Sequence, residues 1–87
     1  MTTATASAAT VRPLYVIAHE ISNDWKKVYF GAVPYLEAMG SLNKISDNYY
    51  YDTAQSIVLY FLANAQTWKG DTAKRIKLEL KAMAKIK

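Results

Sequence analysis

The sequence predicts an all-α protein: one compact four-helix domain behind a disordered N-terminal leader. Three observations carry that expectation. Apolar residues recur at helical spacing in four stretches of the chain. Gly31, Gly40 and Gly70 punctuate those stretches, while Pro13 and Pro34 stand where helices begin. Strand signal is confined to Tyr49–Tyr51, a run of three residues. The expected helices cover about 13–29, 33–40, 52–68 and 71–86.

Residues 1–11, opening MTTATASAAT, are small and polar. They offer nothing to bury and are expected to form the disordered leader, with residues 12–87 as the single domain. In the first helix Leu14, Ile17, Ala18, Ile21, Trp25 and Val28 make one continuous stripe, started by Pro13. Gly31 breaks it. The second helix follows Pro34, contributes Tyr35, Leu36 and Met39, and stops at Gly40.

Residues 41–51 mix Ser41, Asn43, Ser46, Asp47 and Asn48, a turn-forming composition. Asp52 and Gln55 resemble a capping box for the third helix. Its main stripe is Ala54, Ile57, Val58, Phe61, Ala65 and Trp68, with Leu59, Tyr60, Leu62 and Ala63 on the other faces. A helix apolar nearly all round is buried nearly all round, but three other helices can scarcely wrap it in so small a domain, so part of its surface is expected to face a second copy or a partner. The third helix should be the central element. Gly70 is the expected cap at its end, and Asp71 or Thr72 the N-cap of the last helix. There Ile76, Leu80 and Met83 form the core stripe, flanked by Ala73 and Ile86.

The chain has 87 residues and no cysteine, so neither a disulfide nor a thiolate metal site can staple it. One histidine builds no zinc site alone. Domains this small bury only about 60% of their unfolded surface and often rely on a partner subunit. A homodimer through the third helix or the adjoining aromatic surface is the expected assembly. No secretory signal is visible at the N-terminus. The charge-free run 53–68 includes Gln55, Ser56, Asn64 and Gln66 and is shorter than the ~20 residues a bilayer span needs. The protein is expected in the cytoplasm, with no membrane partner.

The net charge of +4 is concentrated at one end. Residues 69–87 hold seven cations against Asp71 and Glu79. Lys74, Lys77, Lys81 and Lys85 recur along one helix face. As a functional surface they would follow phosphates, with no accompanying Asn, Gln or Arg placed to read base edges. As structure they are the wet face of an amphipathic helix, and that reading is favoured.

Seven tyrosines, two tryptophans and two phenylalanines are many for this length. Tyr49, Tyr50 and Tyr51 are consecutive and cannot all enter one core. With Tyr60 they are the candidate contacts to a protein partner. Trp25 and Trp68 are assigned to packing. Glu20 and Asp24, spaced i, i+4 beside an exposed His19, suggest only a solvated face, with Lys27 close enough to neutralise Asp24. Phosphate-binding glycine loops, nucleophile elbows and the members of a catalytic triad are missing. Neither enzyme activity nor a cofactor or metal is expected.

Two segments carry a resemblance: DWKKVYFGAVPYLEAM at 24–39 and YFLANAQTWKGDTAKRIKLELKAM at 60–83. They resemble a group of small accessory proteins of tailed bacteriophages and prophages, over roughly residues 14–83. The resemblance brings no residue roles with it. It implies expression in an infected bacterial cell, and binding to one host or phage protein that is blocked or redirected, components of host defence included. Beside that expectation stand two others. One is a sequence-tolerant nucleic-acid binder using Lys74, Lys77, Lys81 and Lys85. The other is a nucleotide sponge, in which a tyrosine stacks on a base and a lysine meets its phosphate.

Overall fold

A computed structural model describes residues 11–84. The expected leader, up to residue 10, and Lys85 lie outside the described residues. Four helices and one small hairpin follow in the order α1 (Leu14–Asp24), α2 (Val33–Met39), β1 (Asn48–Tyr49), β2 (Asp52–Thr53), α3 (Ala54–Ala63) and α4 (Asp71–Ala84). The fold is mostly helical with a two-stranded antiparallel sheet, so the all-α expectation is corrected. The strands pair Asn48 with Thr53 and Tyr49 with Asp52. The run of three tyrosines hid this hairpin, because Tyr50 and Tyr51 are its turn and not part of a strand.

Pro13 does precede α1. Two of the helix's first free N–H groups, those of Leu14 and Tyr15, donate to the carbonyls of Asn43 and Leu42, each at 2.9 Å. That contact ties the start of the domain to the loop after α2. The helix ends at Asp24, well short of residue 29. Trp25 still donates its N–H to Ile21 O, but its backbone then turns extended, with ψ 89°. This turn places the Trp25 indole against Trp68, at 5.7 Å between ring centres and 10° between planes. The stack is a tertiary contact that helical periodicity could not announce.

The second helix matches its expected limits to within one residue. The third starts later and stops earlier than expected. Thr53, not Asp52, caps it: Thr53 Oγ1 accepts the Ser56 N–H at 3.1 Å. Gln55 is not half of a capping box. Its Nε2 reaches across to Ala84 O at 2.8 Å and occupies a free carbonyl near the end of α4. After Ala63 the chain leaves the helix, so Trp68 belongs to a connecting segment and Gly70 is no C-cap of α3. Gly70 immediately precedes α4 with φ +113°, a conformation that side chains resist. Gly31 is needed for a different reason: a Cβ there would come within 2.6 Å of the Tyr29 ring and 2.8 Å of Asn64 Oδ1.

α3 packs on α2, α4 and β2, and α1 closes the ring by packing on α2 and α4. The core they enclose includes Leu14, Ile17, Ile21, Met39, Val58, Phe61, Ile76 and Leu80, all fully buried. Phe61 meets both tryptophans edge-on, at 6.2 and 6.4 Å. α3 is apolar on nearly every face, yet one flank stays open, as the small size of the domain led one to expect. Leu59 and Tyr60 are 38% and 51% exposed, because three helices and a short hairpin cannot wrap a fourth completely.

Candidate interaction surfaces

The candidate tyrosines lie in two places, the hairpin and the α3 surface. Tyr49 is half-buried against the core and touches Tyr50 edge-on at 4.8 Å. Tyr50 and Tyr51 form the hairpin tip and are 84% and 104% exposed. Tyr60 lies elsewhere on the surface, its ring 5.4 Å from that of Tyr35. Tyr50 has φ 56°, and Tyr51 does not share the positive sign. That pattern fits a type II′ turn, where the first loop residue is ordinarily glycine. A bulky side chain held at positive φ carries backbone strain of about 1–3 kcal/mol. The segment below the tip is braced by Asp47, whose Oδ2 accepts the N–H groups of Asn43 and Lys44 at 3.1 and 2.9 Å. These bonds, that of Lys44 first, lower the Asp47 pKa.

The lysine stripe is less uniform than its spacing suggests. Lys74 and Lys81 are exposed. Lys77 is half-buried, donates to Trp68 O at 2.6 Å and sits 5.9 Å over the Trp68 ring. Burial pushes its pKa down, and Lys69 and Lys81 push in the same direction. No carboxylate lies within salt-bridge distance of Lys69, Lys74, Lys77 or Lys81 among the described residues.

The acidic side chains are used on the other flank of α4. Arg12 grips Glu79 with two hydrogen bonds, from Nε at 2.9 Å and Nη2 at 2.7 Å. Its Nη1 reaches Glu20 Oε1 at 2.8 Å. Arg75 donates to the other Glu20 oxygen. Glu20 is therefore no idle member of a solvated pair; it links α1 to the chain's entry and to α4. Asp24 is not neutralised by Lys27 either. It accepts the Trp68 indole N–H at 2.8 Å. Arg12 and Glu79 stand 67 residues apart, and nothing in local spacing could join them.

The hydrogen bond from Arg12, then that from Arg75, holds the Glu20 pKa below its usual 4.5. A carboxylate depressed in the folded state stabilises the fold at pH values above its unfolded pKa. The contribution is lost as pH falls through the lower folded value. Stability should therefore decline as pH drops below about 4.5, with Asp47 acting in the same sense. Arg12→Ala should cost about 1 kcal/mol near neutrality and flatten the Glu20 part of the acid limb. Urea titrations between neutral and strongly acidic pH check both; an unchanged acid limb would mean that the network does not set it.

One further feature was not foreseen. An open cleft of about 720 Å³ runs between α1 and α2, walled by Val16, Val28, Val33 and Leu36, with His19 and Glu37 among its polar lining. Tyr15 and Val16, apolar residues off the main stripe of α1, were the available signal. Exposed His19 lies here. Among the described residues no three His, Asp or Glu side chains are grouped to hold a metal ion, and no helix is long and apolar enough to cross a membrane. No family model, no curated protein and no solved structure matches the chain.

Proposed function

We propose that this chain is a non-enzymatic accessory protein of bacteriophage type that binds a host or phage protein in the host cytoplasm and blocks or redirects it, components of host defence being one class of target. The observation that carries the reading is the hairpin tip. Two tyrosine rings stand in solvent at Tyr50 and Tyr51, on a backbone that a glycine would suit better. Neither ring buries enough surface to repay that strain within the domain. Amphipathic rings presented on a braced turn suit a protein interface, where tyrosines concentrate binding energy. The resemblance of the 24–39 and 60–83 segments supplies the biological setting. A second copy would cover the open flank of α3 at Leu59 and Tyr60.

Affinity capture from nuclease-treated bacterial extract should recover a protein partner. Tyr51→Ala should lower the affinity for that partner about tenfold or more while changing stability by less than about 0.5 kcal/mol. If recovery disappears with the nucleic acid, the reading fails. If Tyr51→Ala binds as well as the parent, the tip is not the contact.

The nucleic-acid and nucleotide-sponge readings draw less support. Lys77 spends its ammonium on Trp68 O, so the row free to follow phosphates is shortened to Lys74 and Lys81 among the described residues. The ring nearest Lys77 is the buried Trp68, which is closed to a base.

A further inference from the structure

The outer face of α4 combines features that its sequence stripe does not reveal. Leu78 is 63% exposed. Its neighbours one helical turn away are Lys74, Arg75, Lys81 and Ala82. An isolated exposed leucine would need no explanation. Here the apolar surface continues. Past Ala82 a cleft of about 570 Å³ opens, with Met83 and the 67% exposed Val11 in its lining and Arg12 and Arg75 beside them. Glu79 and Glu20 are engaged by those arginines, and among the described residues no carboxylate pairs with Lys74 or Lys81 at the margin.

From this arrangement we infer that the Leu78–Ala82 face of α4 is a docking surface for an acidic amphipathic helical segment of a partner protein, with an apolar anchor over Leu78 and carboxylates on Lys74 and Lys81. An apolar centre inside a charged margin is the anatomy of a protein interface, and an amphipathic helix laid in a groove is a recurrent way to fill one. Charge complementarity selects among occupants. Residues 1–10 of this chain carry no charged side chain, so they do not match the margin. A second copy brings a net charge of +4 to a face that is already cationic. Nucleic acid matches the lysines but leaves Leu78 and the cleft without a partner. Burial first, and then neighbouring Lys69 and Lys81, lowers the Lys77 pKa, in keeping with a cationic face. This surface shares no residue with the hairpin tip, although it shares the premise of a protein partner.

The test uses the full chain and fluorescence anisotropy. Probes are a labelled synthetic helix of Glu, Ala and Leu with its leucines on one face, the same peptide with Ser in place of Leu, and a labelled random DNA duplex. The leucine-bearing peptide should bind, more weakly as salt rises. Leu78→Ser and the serine peptide should each weaken binding about tenfold. The double variant Lys74→Glu, Lys81→Glu should remove binding. Circular dichroism verifies that these surface variants fold. Equal binding by the two peptides, indifference to Leu78→Ser, or no peptide binding at low salt would overturn the inference. Tighter binding of the duplex than of the peptide would overturn it in favour of phosphate contact. Tyr51→Ala is expected to leave peptide binding intact. If it removes binding, the hairpin tip is the docking site, so the α4 inference falls while the hairpin reading stands.

Discussion

Phe61→Ala should destabilise the domain by about 3–5 kcal/mol. The residue sits in the last turn of α3, fully buried, on a helix that packs on both α2 and α4. Its ring stands edge-on to the Trp25–Trp68 stack. Truncation removes apolar area from the core and also both edge contacts, each worth about 0.5–1.5 kcal/mol beyond burial. The cavity cannot collapse easily, because rigid aromatic planes wall it on one side. A chain of this length has a total stability of only about 4–13 kcal/mol. The loss is thus a large share of the total, and at the low end of that range it brings the variant close to its unfolding midpoint in water. Urea denaturation followed by tryptophan fluorescence checks this, with a lower midpoint at an unchanged slope. A loss below about 1 kcal/mol would mean that Phe61 is not the keystone its position implies.

The burial of Phe61 was legible in the sequence because helical periodicity reports a residue's face directly. The same signal placed Leu14, Ile17, Ile21, Ile76 and Leu80 inside, and they are inside. Periodicity failed where a residue's partner is distant. Trp25 and Trp68 extended their stripes in register, so they read as helical, yet both lie outside helices. What fixes them is their mutual stack, across 43 positions of chain. The caps show a similar limit. Asp52 and Gln55 satisfy the spacing rule for a capping box, but β2 takes Asp52, and Gln55 is drawn to a carbonyl of α4. Of the candidate surfaces, the exposed tyrosines followed from simple exclusion, since three consecutive rings cannot share one core. The division of α4 into an arginine-bridged flank and an unopposed lysine flank did not, because it depends on where Arg12 and Glu20 arrive in space.

Trp68→Ala should cost a similar ~3–5 kcal/mol, although the residue lies on a connecting segment. Trp68 is 2% exposed and contributes at three points. Its ring stacks on Trp25, its indole N–H donates to Asp24 at the end of α1, and its carbonyl receives Lys77 from α4. Segment 64–70 is thereby held to both ends of the chain. Trp68→Phe separates these contributions. It keeps a ring for a smaller stack and loses the bond to Asp24 with part of the buried indole surface, while the backbone carbonyl that receives Lys77 stays in every variant. Asp24 is exposed and can be rehydrated, so the lost bond itself should cost only about 1 kcal/mol, and the variant as a whole should lose less than Trp68→Ala. In Trp68→Ala the Lys77 ammonium also loses its desolvating indole, so its depressed pKa should rise toward the ordinary lysine value, measurable by NMR titration. If Trp68→Phe proves as damaging as Trp68→Ala, the indole–carboxylate bond is the main tether. If both are mild, the segment is held by Ala65 and the α3–α4 packing instead, and the aromatic stack is an ornament of the core.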